Sequence, residues 1–459
     1  MPHLSLYAQD TWKATPKLTL TYGVRWELSP APSARGNTTL AAWQNTSDPA
    51  SIALAPSGTP LWRTTYGNFA PRFGFAYRFT SNGDLVLRAG SGIFYDLGVG
   101  EAANLGELFP NTARLPGVQV SVPVPDVTPY LTTNFSSEPP FVSVFGFSNS
   151  LSLPRSYQWN VALEKSIVGK QAISVTYVGQ AGRDLLRNEA LLRPNVNFTG
   201  NFFLTGNTAR SNYNALQFQF RRPLSSRLQA LLNYTWSHSL DNASSDVVLF
   251  LPSNVISAEN DYAASNFDVR HSFSGAITYD VPGLARSGIL ALLTNHWSFQ
   301  SFIVVRTGFP LNATVSGTSP VGGTVKTRPD RVAGAPSWIS NPAAPGGKAL
   351  NTAAFSKPTT PRQGTEGRND ITGFGLTQLD LSIGRKFPIT ERLNLEFRTD
   401  AFNLPNHPNF SNPFGCIDFP SFVPCVQSGG MLNQALGGLN PLFQEGGPRS
   451  LQLALKINF

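Results

Sequence analysis

The sequence predicts an all-β protein, an antiparallel transmembrane β-barrel wall, and three observations carry that prediction. Segments in which apolar and polar residues alternate with period two recur along the chain. The links between those segments alternate between short and long. No apolar run approaches the ~18 residues that a spanning helix needs, so any membrane crossing here uses strands.

The elements follow in order. LSLYAQDTW (4–12) and KLTLTYGVRWEL (17–28) are separated by a link containing Pro16. RFGFAYRFT (72–80) and DLVLRAGSGIFYD (84–96) flank SNG, a turn signal. SYQWNVALEKS (156–166) sets Tyr157, Trp159, Val161 and Leu163 against Gln158, Asn160 and Glu164, and QAISVTYVGQ (171–180) follows. YNALQFQFRR (213–222) and RLQALLNYTWSHS (227–239) bracket PLSS; RHSFSGAITYD (270–280) and NHWSFQSFIVVRTG (295–308) come next. LTQLDLSIGRKF (376–387) and RLNLEFRTDAF (392–402) lie either side of PITE, and RSLQLALKINF (449–459) ends the chain. The total is about 13 strands, each near the ~9–11 residues of a tilted membrane strand.

Short links fall near 13–16, 81–83, 167–170, 223–226 and 388–391, with an intermediate one at 281–294 in a short-side place. Long links fall at 29–71, 97–155, 181–212, 240–269, 309–375 and 403–448. One end of the array therefore carries tight turns and the other large loops, the anatomy of outer-membrane barrels. Polar parity places Gln378, Asp380 and Lys386 on one strand and Asn394, Glu396, Arg398 and Asp400 on the next. Such groups suit a hydrated lumen; Arg or Lys facing lipid at mid-depth would cost about 2–4 kcal/mol. Trp12, Trp26, Trp159, Trp236 and Trp297 lie near strand ends, where amphipathic rings favour the headgroup level.

Composition excludes other classes. Only 14% of the 459 residues are charged, and the net charge of +8 is scattered, unlike the basic stripe of a nucleic-acid binder. No nucleic-acid partner, cofactor, metal site or catalytic set is expected. His238, His271, Ser239 and Asp268 cluster near the outer ends of consecutive strands, a set from which hydrolysis is conceivable, but polar rim residues are the favoured reading. The two cysteines, Cys416 and Cys425, suit a small disulfide loop in an oxidising compartment, the alternative being two free thiols. FNLPNHPNF (402–410) reads as turn-making, with a contact to substrate or plug at the mouth as the alternative. Arg398 and Asp400 are candidates to touch a ligand or plug, along with Asp380 and Glu396; a wall salt bridge with neighbours such as Asp380 is the favoured reading.

Several stretches resemble one family in order along the chain. They are YAQDTWKATPKLTLTYGVRWE, NFAPRFGFAYRF with GSGIFYD, YQWNVALEKSIVGKQAISVTYVGQAGRDL, SNYNALQFQFRRPLSSRLQALLNYTWSHSLDN, NFDVRHSFSGAITYDVP, GRNDITGFGLTQLDLSIGRKF and ERLNLEFRTDAFNLPNHPNF. Together they are similar to the C-terminal barrel portion of a TonB-dependent outer-membrane transporter of the Oar-like branch found in Acidobacteria and Myxobacteria. The resemblance implies a barrel of about 22 strands with a plugged lumen, of which residues 1–459 would supply part. It implies energised uptake of an unidentified extracellular substrate, with a non-transporting surface-display barrel or a nonfunctional gene fragment as alternatives. Signal peptide, N-terminal sandwich domain, TonB box and plug are not recognised here, so TonB is expected to act only through a plug outside this sequence. Further implied partners are outer-membrane lipid, lipopolysaccharide and the barrel-assembly machinery. That machinery would read Leu453, Leu455, Ile457 and Phe459 on the last strand. The family also puts the carboxyl terminus in the periplasm, which makes every long link extracellular.

Overall fold

The computed structural model describes residues 3–33, 40–96, 138–167, 170–244, 261–283, 285, 287–318, 324–390, 393–413 and 447–459. Thirteen antiparallel strands follow one another in chain order as neighbours in one sheet. They are β1 Leu4–Lys13, β2 Leu18–Leu28, β3 Phe69–Arg78, β4 Leu85–Tyr95, β5 Arg155–Ile167 and β6 Gln171–Leu192. Then come β7 Asn201–Ser225, β8 Leu228–Asp241, β9 His271–Asp280, β10 Trp297–Arg306, β11 Leu376–Pro388, β12 Asn394–Phe402 and β13 Ser450–Asn458. Every strand expected from the alternation is present. The outer sides of β1 and β13 pair with nothing among the described residues.

The register joins like to like over most of the wall, with exceptions such as Phe302 opposite Asp380 and Arg221 opposite Leu231. On the outer face Leu6 meets Trp26, Tyr22 meets Phe73, Val161 meets Tyr177, and Phe218 meets Tyr234. The same face continues through Phe273 and Val305, Ile303 and Leu379, and Phe397 and Leu455. The opposite parity pairs Ser5 with Glu27, Gln158 with Gln180, Gln219 with Asn233, and Ser382 with Asp400. Because strand side chains alternate, a slip of one residue would put the amides into lipid, so the pattern itself fixes the register. Leu453, Leu455, Ile457 and Phe459 lie on the outward parity of β13 and are exposed there, between 59% and 100%. In water such a face would aggregate; against hydrocarbon it is satisfied.

The periplasmic turns are short for local reasons. Thr15 and Leu18 exchange backbone hydrogen bonds around Pro16, and the Thr15 hydroxyl also accepts from Leu18 N at 2.9 Å. Ser226 and Arg227 both adopt positive φ (48° and 68°), the geometry that matches a two-residue hairpin to strand twist. Arg222 stabilises that turn by donating to the carbonyl oxygens of Ser225 and Leu228. The 281–294 link contains a seven-residue helix, Gly288–Thr294.

One expected loop is not a loop. The segment 181–212 continues the wall upward, because β6 and β7 stay paired as far as Leu192 and Asn201. The 25 residues of β7 extend to roughly 80 Å, more than twice a membrane strand. Above the bilayer the hairpin is covered by an aromatic cluster that sequence periodicity does not reveal. Trp43, Ile52, Phe141, Val144, Phe198 and Phe202 form it, drawn from links far apart in the chain. Trp43 stands edge-on to Phe202 with ring centroids 5.0 Å apart. Burying each such side chain stabilises the hairpin by about 1.5–3 kcal/mol. The 307–375 link has its own small core around Leu311, Leu350, Phe355 and Ile371.

Candidate functional site

The lumen face carries two kinds of chemistry. Across β5–β10 its middle is rich in amides: Gln158, Asn160, Gln180, Gln217, Gln219, Asn233 and Gln300 share one side of the wall, with Glu164, Arg221 and Arg306 toward the strand ends of the same face. Gln219 Nε2 donates to Asn233 Oδ1 at 3.0 Å, and Asn233 in turn reaches Ser274 at 3.4 Å. Where Gly90 and Gly92 lack side chains the wall is hollowed into a depression of about 290 Å³, bordered by Gln158, Asn160 and Gln180. A β-carbon on Gly90 would sit 3.3 Å from Asn160 Oδ1, so glycine preserves the hollow. Charges lie to either side of this belt. Arg88 Nε bonds Glu164 at 3.1 Å, and Arg25, Glu27 and Ser5 form a hydrogen-bonded set near the outer end of β1–β2.

Asp380, Glu396, Arg398 and Asp400 all fall on the lumen parity of β11 and β12. Their partners differ from expectation in one respect. Arg398 Nε bonds Asp400 Oδ1 at 2.8 Å along its own strand, and Asp380 takes no part in that pair. The Asp380 carboxylate instead accepts from Gln378 Nε2 at 2.9 and 3.0 Å and from Asn403 N at 2.8 Å. It thereby ends β12, since it captures the first amide of the departing loop.

The residues of FNLPNHPNF are structural, which favours the turn-making reading. Asn403 has φ of 48° and donates to the carbonyls of His407 (2.8 Å) and Gly447 (2.7 Å). Asn409 mimics a strand neighbour of Thr377. Its Oδ1 accepts from Thr377 N at 2.8 Å, and its Nδ2 donates to Thr377 O at 3.0 Å. Both asparagines are 1% exposed.

The extracellular mouth is tied by a buried ionic network that the sequence did not announce. Asp261 bridges Arg187 Nη2 on the β6 extension (2.6 Å) and Arg328 Nη1 in the 307–375 link (2.5 Å). Arg368 Nη1 bonds Asp241 Oδ1 at 2.8 Å and also donates to the carbonyls of Asp241 and Asp261. Asn369, at φ of 54°, donates to Ala264 O and Asn266 Oδ1, both at 2.7 Å. The only hint in sequence was the GRND stretch within a polar loop. Nearby, Glu366 is buried, and that burial pushes its carboxyl above the ordinary glutamate range; Arg331 opposes the shift and Asp370 adds to it.

The rim histidines do not assemble a hydrolase. Ser239 and His238 are consecutive on β8, so their side chains point to opposite faces of the wall. The Ser239 hydroxyl bonds Ser265 Oγ at 2.8 Å, while His238 Nδ1 meets Asp268 at 3.2 Å. His271 Nδ1 is engaged with the Tyr234 hydroxyl at 2.8 Å. Among the described residues no three His, Cys, Asp or Glu side chains converge as a metal site would require. Cys416 and Cys425 lie outside the described residues.

A model of the outer membrane beta barrel domain matches residues 1–429. No curated protein sequence matches the chain. Among solved structures, the chain is similar over 99% of its length to the ferripyoverdine receptor of the outer membrane of Pseudomonas aeruginosa, with 10% identity and a TM-score of 0.46, covering 38% of that receptor. It is similar over 99% to the outer membrane transporter YddB from Escherichia coli, with 9% identity, a TM-score of 0.49 and 54% of that chain covered. It is similar over 100% to the copper transporter OprC, with 10% identity, a TM-score of 0.47 and 49% of that chain covered. The chain thus spans about two fifths to half the length of these transporters.

Proposed function

Because this chain belongs to the outer membrane beta barrel domain family, we propose that residues 1–459 form part of the wall of an outer-membrane transporter that takes up a polar solute with energy relayed by TonB. One observation carries this reading. Thirteen strands, each paired with the next, hold a largely apolar outer face and a polar, amide-bearing inner face, which suits a conduit surrounded by lipid. Energisation rests on the ordered motif resemblance to TonB-dependent transporters, and it requires a plug domain in the complete assembly.

The amide belt bears on substrate class. Gln217, Gln219, Asn233 and Gln300 offer both donors and acceptors and no charge. Such groups exchange hydrogen bonds with hydroxyl- or amide-rich solutes, glycans and peptides among them. Asp380, Glu396, Arg398 and Asp400 would border the plug. The last strand would be read by the barrel-assembly machinery, and lipopolysaccharide would meet the outer leaflet half of the wall.

Deletion of the gene, followed by growth on single limiting nutrients, tests the proposal. The expected result is a defect on one nutrient class that TonB depletion reproduces and does not worsen. Normal growth on every nutrient would overturn it. A surface-display role is favoured by one observation, the hairpin of β6 and β7 that stands above the membrane on its own aromatic core. Loss of cell attachment without any growth defect would select that reading instead.

A further inference from the structure

Outward-facing side chains descend β11 as Leu379, Leu381, Ile383, Arg385 and Phe387, so one charge interrupts a lipid-facing row near the periplasmic rim. The other outward charged side chains of the described strands near this rim are engaged. Asp10 accepts from the Tyr22 hydroxyl at 3.0 Å, Lys165 pairs with Asp84 at 2.5 Å, and Arg222 donates to two turn carbonyls. Arg385 is different. It is 8% exposed, it makes no hydrogen bond or ion pair among the described residues, and its Nε is buried without an acceptor. Its guanidinium lies 4.3 Å from the centre of the Phe387 ring and 5.1 Å from that of Trp297. Aromatic faces hold the planar cation by its faces and leave its edge of N–H donors for a partner.

The surroundings identify that partner. The helix Gly288–Thr294 lies at the same rim, immediately before β10, and exposes Ile289, Leu290 and Leu293. Trp297 Nε1 donates to Leu293 O at 2.9 Å, which fixes the helix against the outward-facing ring that also flanks Arg385. An apolar helical surface therefore continues the lipid-facing band next to an unsatisfied cation. Arg385 lies three residues above the end of β11 (Pro388), about 8 Å along the membrane normal for a strand tilted by ~40°. That is the depth of the boundary between headgroups and acyl chains. We propose that Arg385, framed by Trp297 and Phe387, binds the phosphate of a phospholipid in the periplasmic leaflet, with the acyl chains lying along Ile289, Leu290 and Leu293. The phosphodiester supplies the acceptors that the protein does not, through charge-assisted hydrogen bonds.

Native mass spectrometry of the protein released from outer membranes tests the site by counting retained phospholipid. The wild type is expected to keep a phospholipid adduct that Arg385→Gln loses by about tenfold. Arg385→Lys should retain part of it, since one point charge replaces a fork of donors. Arg222→Gln should retain all of it. Equal retention in wild type and Arg385→Gln would overturn the proposal, and so would displacement of the adduct by millimolar inorganic phosphate, which would indicate a site for soluble anions. If Arg385→Gln fails to reach the membrane, 31P dephasing of guanidinium nitrogen signals in wild-type membranes decides, and the absence of any dephased arginine refutes the site.

Discussion

Replacing Asp261 with alanine should loosen the extracellular mouth while leaving the membrane wall intact. Asp261 places one oxygen on each of two buried guanidinium groups, Arg187 at 2.6 Å and Arg328 at 2.5 Å. Arg187 is 1% exposed and Arg328 is 9% exposed, so neither cation gains water when the carboxylate goes. Removing one partner of a buried pair costs about 3–5 kcal/mol because the charge left behind is uncompensated. Here two guanidinium groups lose their shared carboxylate while Arg187 keeps the Asn242 carbonyl at 3.2 Å, so the middle of that range is the expectation. The groups join the β6 extension to the 242–270 and 307–375 links, so the energy appears as local opening of those links. An opening equilibrium shifted by about 4 kcal/mol raises cleavage about a thousandfold where opening is fast relative to proteolysis. Limited proteolysis of intact cells measures this, with outer-membrane recovery of the full chain as the check on assembly. Asp261→Asn keeps an acceptor and should give an intermediate rate. Since the pair is buried, added salt should change the wild-type rate little. Wild-type cleavage of Asp261→Ala would refute the view that this carboxylate clamps the mouth.

Other outcomes follow from single contacts. Asn409→Ala strips Thr377 of both backbone partners at a buried site, and should lower the resistance of the wall to unfolding by about 1–3 kcal/mol, read by denaturant titration in lipid. Gly179→Val should expel the Trp159 indole, because a β-carbon there would lie 2.2 Å from the ring; brominated lipid would then quench Trp159 differently, and an unchanged profile would count against the packing. Glu366 has its carboxyl raised by burial, so the folded link holds the proton more tightly than the unfolded one. Its contribution is full below the ordinary glutamate value and is lost as pH rises through the raised value. Glu366→Gln should remove that pH dependence and make the 307–375 link more protease-resistant at neutral pH. Maleimide should label Cys416 and Cys425 on intact cells only after reduction, and labelling without reductant would exclude the proposed disulfide.

Alternation of residue types was enough to specify the wall. In β12 and β13, Leu395, Phe397 and Thr399 oppose Ile457, Leu455 and Leu453, while Glu396 and Asp400 oppose Lys456 and Gln452, as their parity in sequence requires. A strand has only two faces, and each residue's preference for hydrocarbon or water chooses between them. That the long links gather at one end of the array follows from the order of strands and links, whereas the side that end faces is what the family resemblance implies. The asparagines of FNLPNHPNF were legible as turn-formers because positive φ and side-chain capping are properties of that residue type.

What lies above and beside the membrane was decided only in three dimensions. Nothing adjacent to Trp43 in sequence names Phe141, Phe198 and Phe202 as its neighbours, yet they enclose it. Arg187, Asp261 and Arg328 meet across sequence separations of 74 and 67, and each alone reads in sequence as an ordinary polar-link charge. The lone state of Arg385 is visible only once β10 and the preceding helix bring the Trp297 ring and an apolar surface beside it, with no ion-pair partner among the described residues. The sequence by itself determined which solvent each side of the wall meets, because that choice depends on one residue at a time. Only tertiary structure decided which loops are clamped and which cation is left unpaired, because those properties belong to contacts between residues that the chain keeps far apart.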